Sequence, residues 1–534
     1  MMPTEIVLYI LKDRGISDMI SVALTCSRFR DLIISSRILS QAYDSHRITI
    51  STAVDVLTYY KAALRAIHIA QSISTADVLR PRSHKTISIN EHYGNENLLF
   101  ECRGTRTNTV VLMDGFSFIL FNLDIPGLQG EFTPMASDNS KRDDSIFGAL
   151  SAEFGVLDSE FELSATKDSI ILALVGSALS EPDELEIQVH EISISANNFG
   201  AHKEQLGSLS LGIGALAEEL EHGHEASQQE LCIRVHDPYV FLYAGRGSER
   251  PTVLYNWRTG TFKRFHPRRS QSGTEKRVNI MQANFHPFRD AIVIEDRAYD
   301  MGYPTATPIF LLEIDITSLL SGPSTESSPF TETVHLRTLA KIDCSDTFKL
   351  FKNPSILLST PIQISGVNSW NISFLSIPNY ENNKNFPGGV PYNSIPRNTP
   401  SLFSVTFTEG QTEPTMSRTS LPVPHHLAFQ NLHFLAPGQI LSVKGSGLGA
   451  KRAYNHIALH YVAEHPSSAR WIDLNVNAAV RKTVERSPNG YNSASSRRLT
   501  RSLLSDDEWA TLAFDPVGGR FIEVFEGKIL CIQY

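Results

Sequence analysis

From about residue 67 to its C-terminus this chain is written in short apolar, β-type runs separated by clusters of Gly, Asn, Asp and Pro, a punctuation that confines most of it to antiparallel sheet. Thr86 to Ile89, Thr109 to Met113 and Phe116 to Leu123 are the first such runs. The main exception is Ile213 to Glu221, where Leu216, Ala217 and Leu220 predict a short surface helix before the polar loop His222 to Gln229. A chain of 534 residues has room for roughly two to four domains, fewer where one of them is a large β architecture.

The β portion repeats weakly. An apolar residue, one or two spacers, a proline and a β-run occur at Val235 to Pro238 before Tyr239 to Tyr243, and at Phe285 to Pro287 before Ala291 to Ile294. They recur at Phe434 to Pro437 before Gln439 to Val443, and at Phe514 to Pro516 before Arg520 to Phe525. Each proline ends one strand and the turn after it starts the next, so each copy reads as a hairpin. Pro238 and Pro287 are 49 residues apart, and Pro287 and Pro437 are 150 apart, which reads as about three units of near fifty. Such a period matches a four-stranded propeller blade. The last interval, 79, fits only with Arg481 to Arg501 as an insertion. Tyr255 to Gly260 resembles the strand-and-turn signature of propeller repeats, with Trp257 near the tryptophan of WD repeats. An irregular pair of β-sandwiches is the rival architecture.

The first 66 residues read instead as helix. Pro3 suits a helix start and Glu5 complements the positive end of its dipole. Ile6, Val7, Ile10 and Leu11 share one face, yet Leu8 and Tyr9 make the other side apolar too, so this helix wants partners on two sides. Arg14 to Asp18 is a break with a cap. Met19, Val22, Ala23 and Cys26 then recur at helical spacing, continued by Phe29, Leu32 and Ile33. Further helical stretches run from about Ser36 to Tyr43 and, capped by Ser51, through Val54, Leu57, Tyr60 and Leu64.

Met2-Pro3-Thr4-Glu5-Ile6, Ile10-Leu11, Ser17-Asp18-Met19 and Ala23 to Ile33, with Cys26 and Phe29, together resemble the F-box, over about forty residues. Met2 stands where the family has leucine and Phe29 where tryptophan is frequent; neither change loses an apolar contact. The resemblance implies a non-catalytic substrate-recruiting subunit of an SCF-type ubiquitin ligase. Its helices would bind a Skp-type adaptor and through it a cullin scaffold, while the rest of the chain captures an unknown protein substrate. Pro3, Ile6, Ile10, Leu11, Cys26 and Phe29 are the expected adaptor-binding or supporting residues. A propeller scaffold without a ligase link is the alternative, and a propeller-fold hydrolase or lyase, with convergent carboxylates or histidines in its channel, is a further rival.

Composition narrows the partners. Lys plus Arg total 48 against 57 Asp plus Glu, a formal charge of −9, so nothing draws the chain generally to nucleic acid or anionic membrane. Cys26, Cys102, Cys232, Cys344 and Cys531 are scattered and form no C-x-x-C pair, which fits a reducing compartment. The N-terminus lacks the basic region and cleavage site of a signal peptide. Ile170 to Leu179, interrupted by Gly176 and Ser177, falls short of the roughly 18 to 20 residues a membrane helix needs. A cytosolic or nuclear protein with no membrane partner is expected.

Other motifs read as structural. Gly445 to Lys451 lacks Walker spacing and a βαβ setting, and reads as a hairpin turn. His222 and His224 sit among glutamates on a polar loop, and His425-His426 and the His456 and His460 pair read as loop and strand residues. No G-x-S-x-G occurs. Neither a catalytic residue, a metal nor a cofactor is expected. Lys263 to Arg277 and Arg481 to Arg501 each carry six Lys or Arg against one Glu, and read as exposed basic loop insertions between strands. The expected organisation is α+β and multidomain: an F-box-like helical domain over 1–45, a helical linker over 46–80, and an all-β domain over 81–534. The β domain is expected to be a six- or seven-bladed WD-like propeller with residues 520 to 533 paired to an early strand.

Overall fold

The computed structural model describes residues 3–41 except 13 and 37, residues 56–75 and 78–88, and then the strands and many turns of the β region. The longer connections 42–55, 89–100, 136–153, 213–230, 298–307, 322–331, 379–400, 421–431, 462–469 and 475–510 lie outside the described residues, as do shorter connections between strands. The expected helix at Ile213 to Glu221, Ser51, the His222 and His425 motifs and the Arg481 to Arg501 stretch therefore fall outside them.

The chain opens with α1 (Thr4–Leu11), α2 (Ile16–Thr25), α3 (Ser27–Ser35), a 3-10 turn (Ile38–Gln41) and α4 (Val56–Thr75). Pro3 sits at the N-cap of α1, where its carbonyl accepts the Val7 N–H at 3.3 Å. The expected side-chain cap on α2 is not formed; extended Gly15 occupies that position. Cys26, fully extended at φ −160° and ψ 159°, divides what the spacing reads as one helix into α2 and α3. Val7, Leu11, Ile16, Met19, Ile20, Ala23, Ile33 and Leu39 form one apolar core with Tyr60, Ala63 and Ile67 of α4. The 46–80 segment thus contributes α4 to the helical core.

All strands that follow fall in seven sheets among the described residues, each dominated by antiparallel pairing. Two early strands, β1 (Val78–Leu79) and β2 (Ser83–Ser88), join the last two sheets. The first sheet is β3 (Glu101–Cys102), β4 (Thr109–Met113), β5 (Phe118–Asn122) and β6 (Gln129–Phe132). The second is β7 (Phe154–Leu163), β8 (Ser169–Ala178), β9 (Glu184–Ser193) and β10 (His202–Gly212). The third runs β11 (Leu231–His236), β12 (Tyr239–Ala244), β13 (Thr252–Asn256), β14 (Thr261–Gln271) and β15 (Thr274–Arg277).

The fourth is β16 (Ile280–Phe285), β17 (Ala291–Arg297), β18 (Ile309–Asp315) and β20 (Arg337–Ile342); the short helix α5 (Ile316–Ser321) follows β18, and β19 (Glu332–His335) pairs in parallel with β14. In the fifth, β21 (Phe348–Lys349), β22 (Leu357–Leu358) and β23 (Ile362–Ile364) all pair with β24 (Val367–Pro378), followed by β25 (Ser401–Thr408) and β26 (Thr415–Ser420). The sixth is β27 (Leu432–Ala436), β28 (Gln439–Ser446), β29 (Ala453–Tyr461) and β30 (Arg470–Leu474), with β1 added in parallel. The seventh is β31 (Thr511–Asp515), β32 (Arg520–Phe525) and β33 (Lys528–Gln533), completed by β2. Ser83 faces Gln533 and Ser88 faces Lys528, so the C-terminal strand does pair with an early one.

The four proline-marked repeats are all hairpins that open a sheet: β11 to β12, β16 to β17, β27 to β28 and β31 to β32. The spacing needs one correction. Pro287 and Pro437 are separated by two sheets, the fourth and the fifth, because long connections stretch those units beyond fifty residues. Apolar clusters join the first sheet to the second, the second to the third, the third to the fourth and the fourth to the fifth. β22 lies against β27 and β27 against β31, and a further cluster packs the seventh sheet on the first.

The expected basic loop at Lys263 to Arg277 is instead strand. β14 overruns its sheet, pairing with β13 in its first half and with β15 and β19 in its second. Lys263 and Arg269 are buried. Arg269 Nε lies 2.7 Å from Asp296 Oδ2 on β17, and its guanidinium stacks 3.6 Å from the centre of the Phe310 ring. A run rich in Lys, Arg and Ser reads as solvated, but Phe265 and Pro267 between the charges are buried, as in a strand packed on one face.

Where the second sheet meets the third, side chains take the place of a strand ladder. Asp158 accepts the Ile233 N–H at 2.9 Å, Glu160 accepts the Val235 N–H at 2.9 Å, and Glu162 accepts the Asp237 N–H. Alternate carboxylates of β7 thereby satisfy alternate amides on the open edge of β11, and Arg234 continues outward to donate to the Ala283 carbonyl of β16 at 2.9 Å. Replacing Glu160 with Ala strands the amide of buried Val235 and should lower stability by about 1–3 kcal/mol, whereas Glu160→Gln, which keeps an acceptor, should stay near wild type in chemical denaturation. Equal midpoints for the two variants would refute this role.

Candidate docking surface on the helical module

The helical core leaves part of its own apolar surface uncovered. Val7 and Leu11 face inward from α1, while Ile6 is 48% exposed, Tyr9 80% and Ile10 49%. These three lie at i, i+3 and i+4, so they form a single stripe on the side of α1 that the core does not use. On α2, Met19, Ile20 and Ala23 are buried while Leu24 is 64% exposed. Exposed apolar residues scattered singly need no explanation, but three on one short helix do. The remaining exposed positions of these helices include Glu5, Lys12, Asp18, Arg28, Arg30 and Asp31, a charged surround to an apolar patch.

Of the residues singled out from the sequence, Pro3, Ile6, Ile10 and Cys26 are exposed, Phe29 is half-buried and Leu11 is buried at 3% exposure. Leu11 therefore supports the surface from beneath. Tyr9 and Leu24 belong to the uncovered set but are absent from the sequence-derived one; the two-sided apolar pattern of α1 already pointed to Tyr9.

The module is seated on the last sheet through α4. Arg65 Nη2 donates to Gln533 Oε1 at 2.8 Å, and Gln533 in turn donates to the Gly519 carbonyl at 3.2 Å. Gly519, at φ +62°, admits Ile69 so closely that a β-carbon there would stand 3.0 Å from the Ile69 side chain. Tyr60, Ala63 and Ile67 meet the other helices while Arg65 and Ile69 meet the sheet, so α4 works as a two-faced strut.

The motifs weighed for chemistry land on ordinary elements. Gly445 to Lys451 begins at the end of β28, which pairs antiparallel with β29, and its residues 447–451 are outside the described set. His456 and His460 lie on strand β29. Among the described residues no group of three or more His, Cys, Asp or Glu side chains is placed to hold a metal ion. No helix among them is long and apolar enough to cross a membrane.

No known family profile matches the chain, and no curated protein does. Among solved structures it is similar to Drosophila Plexin A in complex with Semaphorin 1b, at 8% identity and a TM-score of 0.29, over 73% of this chain and 87% of that one. It is also similar to a chain of the yeast heterotrimeric Nup82-Nup159-Nup116 nucleoporin complex, at 11% identity and 0.30, over 84% and 96%. Synechocystis apocarotenoid oxygenase matches at 9% identity and 0.32, over 71% of each chain.

Proposed function

We propose that this chain is the substrate-recruiting, non-catalytic subunit of an SCF-type ubiquitin ligase, with its N-terminal helices binding a Skp-type adaptor. The observation that carries the reading is the uncovered stripe Ile6, Tyr9 and Ile10 on a helix whose opposite side is sealed. It falls within the forty residues that resemble the F-box. A folded chain keeps such a stripe in water only at a cost of solubility, and a partner that covers it gains about 1.5–3 kcal/mol for each large apolar side chain fully buried.

In the same reading the seven sheets are the blades of a seven-bladed propeller. Supporting this are the apolar clusters that join the first five sheets in order, the contacts of the fifth with the sixth and of the sixth with the seventh, and the packing of the seventh on the first. Early strands of adjacent sheets also touch: β7 with β11, β11 with β16, β22 with β27, β27 with β31 and β31 with β3. The pairing of β2 with β33 then closes the array with a strand from its own beginning. The propeller presents the protein substrate, and the complex works in cytosol or nucleus.

The test is co-expression of the full chain with a Skp-type adaptor, followed by size-exclusion chromatography, and recovery of the chain from cells. A stoichiometric complex that also brings down a cullin is expected. Recovery of other assemblies with neither protein would leave a scaffold without ligase association and overturn the assignment.

A further inference from the structure

His190 on β9 and His202 on β10 are twelve residues apart in sequence, yet the antiparallel register of these strands sets the His190 Nδ1 only 3.1 Å from the His202 Nε2. The pair is built rather than incidental. Fully buried Gln188 donates through Nε2 to the Met135 carbonyl at 2.8 Å, which turns its Oε1 toward His190 Nε2 at 2.9 Å. An amide oxygen accepts only, so His190 must carry its proton on Nε2 and present the lone pair of Nδ1 to His202. Phe132 packs on both rings, at 4.8 Å and 5.2 Å between centres, and covers one side of the pair. His202 is exposed, which leaves the other side open to water. Lys203, the neighbouring cation, is drawn away by Glu191 at 3.0 Å and Asp168 at 3.6 Å.

We infer that His190 and His202 form a two-histidine site for a borderline dication of the zinc, nickel or copper class, with water completing the coordination. Two metal–nitrogen bonds of about 2.0–2.1 Å that span this separation meet at about 100°, between the square and tetrahedral values. The Gln188 amide is the outer partner that a ligating imidazole ordinarily requires on its second nitrogen. His202 ligates through Nε2 once its proton sits on Nδ1, a tautomeric change in which the pair gains and loses no proton, and the ion replaces the hydrogen bond between the rings. With only two protein ligands the site binds reversibly, and it is not a structural zinc centre on which folding depends.

Titration of the full chain with Zn²⁺ or Ni²⁺ alone, followed by calorimetry, tests this. Wild type should show a saturable equivalent that His202→Gln weakens at least tenfold. A glutamine at 202 can still donate to His190, so unchanged thermal unfolding of that variant separates ligation from the hydrogen bond. His202→Cys, which supplies a thiolate, should restore zinc binding, and His222→Ala with His224→Ala should leave this equivalent in place. No saturable equivalent in wild type, or identical binding by wild type and His202→Gln, overturns the site.

Discussion

Aspartate at both Ile6 and Ile10 should abolish capture of the Skp-type adaptor while leaving the unfolding transition of the chain where it is. Both side chains are about half exposed and stand outside the helical core, so the free protein accommodates the charges in water. In the complex each carboxylate would be buried against apolar surface without a partner, a penalty of several kcal/mol per site, and affinity should fall by about a thousandfold or more. Leu11→Asp gives the opposite pattern. At 3% exposure it sits in the core with Ile16, Met19 and Tyr60, so its replacement melts the module itself. Tyr9→Ala should weaken binding moderately with no change in stability. Undiminished adaptor binding by the double aspartate variant, measured by interferometry on folded protein, would remove the docking surface from consideration.

The largest stability effect is expected at Arg269. Its side chain and that of Asp296 are 4% and 2% exposed, so removing the guanidinium leaves a carboxylate in a dry setting with only the Asn279 N–H and the weaker pull of Lys276 to stabilise it. Arg269→Ala should cost about 3–5 kcal/mol, part of it from the lost stacking on Phe310. Arg269→Met with Asp296→Leu, which replaces both charges by apolar volume, should recover most of that loss. The pH dependence carries a second signature. Burial already holds the Asp296 carboxyl above its ordinary value of 3.8, opposed by the Asn279 amide and by Arg269. A carboxyl with a raised folded-state pKa favours the folded state in acid and loses that contribution as pH rises through the raised value. Without Arg269 the value climbs further. The deficit of Arg269→Ala should therefore be smallest near pH 4 and grow toward neutrality, and a pH-independent deficit would refute the account.

The parts of this architecture that were legible in the sequence are those set by local chemistry. Proline after an apolar residue marked four hairpins, since a residue without an N–H disfavours a continuing ladder, although Pro267 lies within β14. Apolar residues all round α1 announced a helix with two apolar sides, but the sides fall differently: Ile6 and Ile10, read on the face of Val7 and Leu11, are exposed with Tyr9, and Leu8 packs on the core. Sheet-to-sheet relations were not legible. Asp158, Glu160 and Glu162 alternate as any polar strand face does, and only packing tells that they meet the edge of β11. Arg269 was read as solvated because its counter-charge lies 27 positions away on another sheet. The distance between repeats misled for a similar reason: connections lengthen freely at small entropic cost, so spacing counts residues where the fold counts strands.

The pairing of β2 with β33 also sets a timetable. Residues 83–88 leave the ribosome long before their partner, residues 528–533. At bacterial to eukaryotic synthesis speeds that wait is on the order of a minute, during which β2 and the α4 contacts with Gly519 and Gln533 have nothing to hold. The nascent protein thus carries a helical head and an unsealed sheet edge together until residues 528–533 have been made. Truncation just before residue 528 should consequently yield a polypeptide that engages chaperones and forms aggregates, although every earlier strand is retained.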